Sequence, residues 1–140
     1  MRSLLVTGGA GFIGGNFVHY WTRTHAADRI VVLDALTYAG NRSTLGELLR
    51  HDCIVFVHGD IIDRALMDDV LRQHGIDTIV HFAAESHVDR SIADPGAFVR
   101  TNVIGTQTLL DAATKAWRTG ADWQSGVRFH HVSTDEVYGS

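Results

Sequence analysis

Thr7-Gly8-Gly9-Ala10-Gly11-Phe12-Ile13-Gly14 lies between a short apolar run at residues 4–6 and a segment of helical periodicity at residues 12–24. A glycine-rich turn joining a buried strand to a helix is the junction a dinucleotide pyrophosphate needs. Gly8 can take the tight turn. Gly11 leaves room for a phosphate to approach the helix N-terminus, with Phe12 and Ile13 beside it, and Gly14 lets the helix pack close to the sheet.

Further short β-branched or apolar runs at residues 30–33, 54–57, 78–82 and 129–132 read as buried parallel strands. Helical spacing separates them. Residues 12–24 set Phe17, Val18 and Trp21 on one stripe, and residues 64–74 repeat Leu66, Met67, Val70 and Leu71. A third helix is expected to open at Asp94-Pro95, an N-cap followed by proline at the first helical position, and to run to about residue 117. Residues 120–126 read as a polar surface loop. Alternation of this kind predicts an α/β fold, a doubly wound parallel sheet of five strands in the order 3-2-1-4-5. Residues 1–140 then make one domain.

Composition narrows the partners. The net charge of -4 arises from 12 basic and 16 acidic residues with no basic run, which argues against nucleic acid. No apolar stretch approaches a signal-peptide core or a membrane span. A lone cysteine, Cys53, excludes an intramolecular disulfide, and the scattered histidines give no metal-ligand spacing. A cytoplasmic setting is expected.

In an open α/β sheet, ligands bind beyond the carboxyl ends of the strands. Asp34 ends the second strand twenty residues after Gly14, where a ribose hydroxyl acceptor is expected, with Ala35, Leu36 and Thr37 following. It could instead cap the next loop. Its negative charge favours NAD over NADP, although Arg42 lies close enough in sequence to keep NADP as an alternative. After the third strand, Asp60 could accept from an adenine amino group and Ile61 could cover the ring; equally, Asp60 could cap the helix opening at Arg64. Phe82-Ala83-Ala84 follows the fourth strand, and its small residues would let a cofactor lie along the backbone or would merely pack. The polar Glu85-Ser86-His87-Val88-Asp89-Arg90 stretch shapes a site or forms a surface ion-pair loop. The chain closes on Ser133-Thr134-Asp135-Glu136-Val137-Tyr138-Gly139-Ser140, with two adjacent carboxyls just past the last strand. Their alternative is a solvated loop.

The glycine turn, Asp34-Ala35-Leu36-Thr37-Tyr38-Ala39-Gly40-Asn41, the stretch from His81 to Ser91 and the Ser133-Thr134-Asp135-Glu136-Val137-Tyr138-Gly139 segment occur in order at fitting intervals. Together they resemble the dTDP-glucose 4,6-dehydratases, a group of extended short-chain dehydrogenase/reductases. The resemblance implies NAD as cofactor and a nucleotide-linked glucose as substrate. The sugar is oxidised at C4, loses water across C5 and C6, and regains the hydride at C6. It implies that Glu136 removes the C5 proton, that Asp135 protonates the departing C6 hydroxyl, and that Thr134 hydrogen-bonds the sugar near C4. Ser86 would contact cofactor and substrate, and Thr101 would meet the nicotinamide side.

The family also uses a Tyr-x-x-x-Lys pair that neither Tyr138 nor Lys115 can supply. On this resemblance the 140 residues are expected to be an N-terminal portion, inactive alone, of a homodimer that uses the helix from Asp94 to Trp117. A non-catalytic NAD(H)-binding module and a related nucleotide-sugar epimerase or decarboxylase are the alternatives.

Overall fold

The structure, a computed structural model, describes residues 1–139 apart from the side chain of Glu136. In chain order it begins β1 (Ser3–Thr7), α1 (Phe12–Thr24), β2 (Arg29–Asp34), β3 (Ile54–His58), α2 (Arg64–Gln73) and β4 (Thr78–His81). It continues with α3 (Val88–Ala93), α4 (Pro95–Phe98), α5 (Thr106–Trp117), β5 (Arg118–Thr119), β6 (Asp122–Trp123) and β7 (Arg128–His131). The main sheet is parallel, in the order β3-β2-β1-β4-β7, which is the expected topology.

Because side chains alternate along a strand, consecutive apolar residues serve two separate cores. Leu5, Val31, Leu33 and Ile79 pack with Met67, Leu71, Leu109 and Trp117 from α2 and α5. Leu4, Val6, Ile30, Val32 and Val80 face the other way, onto Val18 of α1 and Leu45. The unbroken apolar strands are therefore explained by helical cover on both faces, and the carboxyl ends of all five strands open to one side.

Three local readings change. Asp94 does cap Pro95–Phe98, its carboxylate accepting from Ala97 N–H at 3.2 Å, but the helix beyond is not uniform. Residues Val99–Gly105 form a π-helical segment before α5 resumes. Periodicity hides this, since one wider turn preserves the apolar face. The expected loop at 120–126 contains instead the second strand of a small antiparallel hairpin, Arg118–Thr119 against Asp122–Trp123, turning at Gly120 with φ +66°. Two-residue strands are too short for an alternation signal. Finally, α2 is capped by Asp63, whose carboxylate accepts from Leu66 N–H at 3.0 Å, rather than by Asp60.

Candidate active site

The turn after β1 is tied to both neighbouring strands. Gly8 N–H donates to Leu33 O at 2.8 Å, and Phe82 N–H donates to Thr7 O at 3.0 Å. Gly8 has φ +69°, and a methyl group there would stand 2.7 Å from Ala83 N. At Gly14 a methyl group would collide with the Gly8 carbonyl and lie 3.0 Å from Gly9 Cα. These absent side chains leave a backbone hollow at the head of α1, where exposed amides and the helix dipole favour an anion.

Asp34, only 7% exposed, closes one flank of this hollow. Its carboxylate accepts from Ala10 N–H at 2.9 Å and from Leu36 N–H at 2.8 Å. It thus caps the following loop, the alternative the sequence offered to ribose binding, and also joins that loop to the glycine turn, which the sequence did not indicate. An amide in place of the carboxylate would turn an NH2 group towards one of these N–H donors. Asp34→Asn should therefore cost about 1.5 kcal/mol, within the range for leaving a buried donor unpaired. The measurement is the urea-unfolding midpoint at pH 7, and an unchanged midpoint would show that the carboxylate is not holding the two loops together.

The strand ends enclose a cleft of about 440 Å³. Gly8, Gly11, Phe12, Ile13 and Gly14 form its base, with Phe12 83% exposed at the rim. Asp34, Ala35 and Thr37 line the β2 side, and Asp60 with Ile61 the β3 side. Phe82, Ala83, Ala84 and Ser86 form the wall after β4, where Thr101 of the π segment joins them. Leu36 is the exception among the proposed cofactor residues. It does not line the cleft; its N–H goes to Asp34 and its φ of +51° bends the chain there. Ile61 reaches the cleft from the core. Its side chain is buried in the core, close enough to Gly105 that a methyl group there would stand 2.6 Å from Ile61 Cδ1. Asp60 Oδ1 accepts from Ile62 N–H at 3.1 Å, an Asx turn that shapes the loop.

Beyond β7, Ser133 and Thr134 line the cleft, whereas Asp135 is exposed in a 3-10 turn, Asp135–Tyr138, and is not among the lining residues. The two carboxyls do follow the last strand as the sequence indicated, with Asp135 on the turn just past the cleft-lining Thr134. The Glu136 side chain lies outside the described residues.

Several residues in or behind the cleft were not singled out from the sequence. Asn102 pairs with both main-chain groups of Glu85, donating from Nδ2 to Glu85 O at 2.9 Å and accepting at Oδ1 from Glu85 N–H at 2.8 Å. It holds the strip that carries Ser86. Only the residue's polarity on an otherwise apolar helix face hinted at this. Gly40 was also missed, although a methyl group there would stand 2.5 Å from Asp34 Oδ1. Behind the wall lies His81, buried at the end of β4. Burial, followed by repulsion from His131, lowers its pKa to about 4.

A second hollow, of about 410 Å³, sits at the opposite end of the sheet between α2 and α5. There Lys115 holds Asp68 at 2.6 Å, and this bond lowers the Asp68 pKa. It lies at the amino ends of the strands, away from the ligand-binding edge of such sheets. Among the described residues no group of three or more His, Cys, Asp or Glu is placed to hold a metal ion, and no helix is long and apolar enough to cross a membrane.

The family model described as GDP-mannose 4,6 dehydratase matches residues 5–140. The dTDP-glucose 4,6-dehydratase of Xanthomonas campestris pv. campestris strain B100 is 54% identical over 141 residues, covering 100% of this chain and 40% of its own length. Among solved structures, the DesIV dTDP-glucose 4,6-dehydratase of Streptomyces venezuelae, crystallised with NAD bound, is 54% identical at a TM-score of 0.85, covering 99% of this chain and 41% of that one. The UDP-glucose 4-epimerase of Brucella ovis, in complex with NAD, matches at a TM-score of 0.80 but 31% identity, covering 100% and 38%. The backbone alone scarcely separates these enzymes, whereas the side chains do. The chain spans about 40% of the length of the relatives it matches, and it belongs to the GDP-mannose 4,6 dehydratase family, standing closer in sequence to these two dTDP-glucose 4,6-dehydratases than to the epimerase.

Proposed function

We propose that this chain is the NAD-binding and acid-base-bearing portion of a dTDP-glucose 4,6-dehydratase, a hydro-lyase. The observation that carries the reading is the cleft at the strand ends, where a glycine base with no room for a Cβ at Gly8 or Gly14, a buried Asp34 and the Thr134 segment converge. The residues present fit a dinucleotide. The amides at the head of α1 would hold the pyrophosphate, Asp34 has lone pairs left for a ribose hydroxyl, and Ala83 and Ala84 leave room beside the backbone. NAD, when bound, supplies a reversible hydride acceptor for sugar carbon.

The chain's own residues do the proton chemistry. Thr134 hydrogen-bonds the sugar near C4, and Glu136 takes the C5 proton once the adjacent C4 ketone has acidified it. Asp135 protonates the C6 hydroxyl as it leaves. One of two neighbouring carboxyls must then be protonated while the other is ionised, which requires unequal surroundings. Asp135 reaches that role only if the Asp135–Tyr138 turn folds inward over bound sugar. Ser86 contacts cofactor and sugar from the β4 side, and Thr101 contacts the nicotinamide side.

The assembled protein is proposed to be a homodimer. Val99 and Val103 are 53% and 59% exposed on the segment leading into α5, an apolar face suited to a second copy.

A second reading, an NAD(H)-binding module without turnover, is favoured by one observation: all the proposed cofactor residues but Leu36 line the cleft, while Asp135 is not among its lining residues. The two separate in one experiment. NAD is titrated into the chain by calorimetry. A full-length protein carrying this chain is then given dTDP-glucose in deuterated water, with the product read by mass spectrometry. The dehydratase reading expects NAD binding, loss of one water and deuterium at C5. Binding with intact sugar would favour the module, and C4 inversion without water loss would favour an epimerase.

A further inference from the structure

Behind the cleft wall, three side chains from different elements form one connected polar path. Thr7 is fully buried, and its hydroxyl oxygen lies 3.3 Å from Ala83 N and 2.6 Å from His81 Nδ1. His81, itself 1% exposed, places Nε2 2.9 Å from Thr106 Oγ1 on α5. Ala83 N–H is a donor, so the Thr7 oxygen accepts there. The single hydroxyl hydrogen of Thr7 then has Nδ1 as its acceptor, since otherwise a buried donor would go unpaired. This accounting assigns the imidazole a proton on Nε2, which donates to Thr106.

We propose that His81 is a positioning residue for the dinucleotide cleft: in its Nε2–H form it fixes the Thr7 hydroxyl, and through it the Ala83 peptide, against the glycine turn. This rests on the NAD reading above. The lever is short. Ala83 lines the cleft, and Gly8 packs so closely on it that a methyl group at Gly8 would stand 2.7 Å from Ala83 N. No gap separates the β4 wall from the turn, so a displaced Ala83 peptide displaces the pyrophosphate cradle. Thr106 anchors the other side of the ring to the helix that follows Thr101. His81 thus ties the glycine turn and the β4 wall, which border the cleft, to α5 behind them, while touching no ligand itself.

The test is NAD affinity by calorimetry on the unsubstituted chain, on Thr7→Val and on Thr7→Ser, each checked for folding by circular dichroism. Thr7→Val keeps the side-chain shape but removes the hydroxyl, and should weaken NAD binding about tenfold, the equivalent of one lost buried hydrogen bond. Thr7→Ser restores the hydroxyl and should bring affinity back to within about twofold of the unsubstituted chain. Equal affinity in Thr7→Val would overturn the proposal while leaving the NAD reading intact. Absence of NAD binding by the unsubstituted chain would overturn the NAD reading and this inference together. Should Thr7→Val fail to fold, the imidazole nitrogen-15 shifts of the unsubstituted chain decide. A bare Nδ1 and protonated Nε2, with the Nδ1 resonance moving on NAD addition, support the proposal; a protonated Nδ1 or a signal unmoved by NAD overturns it.

Discussion

Gly14→Ala should unfold at a temperature about 10 °C lower and lose NAD binding. On a helix this substitution ordinarily gains about 1 kcal/mol, because alanine restricts the unfolded chain and favours the helix. Here the added methyl group meets main chain only: the Gly8 carbonyl, with its carbon at 3.0 Å, and Gly9 Cα at 3.0 Å. Main chain has no rotamer to change. The turn cannot yield as a unit either, since Gly8 N–H is held by Leu33 O at 2.8 Å and Gly11 N–H by Gly8 O at 3.2 Å.

The net cost should therefore reach about 3 kcal/mol, the upper end for overpacking, and spread to the cleft base. For a domain of this size that corresponds to the thermal shift of about 10 °C. Gly11→Ala is the control. A methyl group there meets only Gly8 O, at 3.3 Å, so the variant should melt within roughly 3 °C of the parent, a cost below about 1 kcal/mol. It should still bind NAD more weakly, because the methyl group occupies the phosphate approach. Thermal unfolding and NAD titration on both variants check the contrast. Equal melting temperatures for Gly14→Ala and the parent would show that α1 can lift from the turn at no cost.

The second large effect is acid sensitivity centred on His81. Its pKa in the folded chain is about 4 against an ordinary value of 6.5, because the buried ring resists charging and His131 adds repulsion. Between those values the unfolded chain holds a proton that the folded chain does not. Stability therefore falls as pH drops below about 6.5, and the loss saturates once pH passes below about 4. At 1.36 kcal/mol per pKa unit the full loss is on the order of 3 kcal/mol. His81→Gln removes the titration while keeping an uncharged hydrogen-bonding side chain. The parent should be the more stable at pH 7.5, and its advantage should shrink by about 3 kcal/mol by pH 4. Urea unfolding of both proteins across that range makes the comparison, and parallel stability curves would refute the assignment.

Much of the architecture was legible because it rests on local, repeated signals. Buried parallel strands need continuous apolar runs, helices need a 3.6-residue stripe, and the glycine turn needs both on either side of it. Asp94-Pro95 and Gly8 were readable for the same reason: a cap and a positive-φ turn are decided within a few residues. Asp60 and Asp63 illustrate the limit. Each is a carboxylate ahead of a helix, and the three-residue shift that makes Asp63 the cap depends on where the loop leaves β3. The hairpin at β5 and β6 and the π segment escaped because two-residue strands and one widened turn alter no periodicity.

By itself the sequence determined the sheet order, the junction at Gly8 to Gly14 and the family, since all three follow from residue types at short spacings. Tertiary structure decided what the buried polar groups do. Asp34 clasps two loops, Asn102 pairs with the Glu85 backbone, and the Thr7, His81 and Thr106 side chains meet although they lie up to 99 residues apart in the chain. It also kept Asp135 from among the residues that line the cleft with Thr134. The reason is physical: a buried donor or acceptor must find a partner wherever packing brings one, and that search runs across strands rather than along the chain.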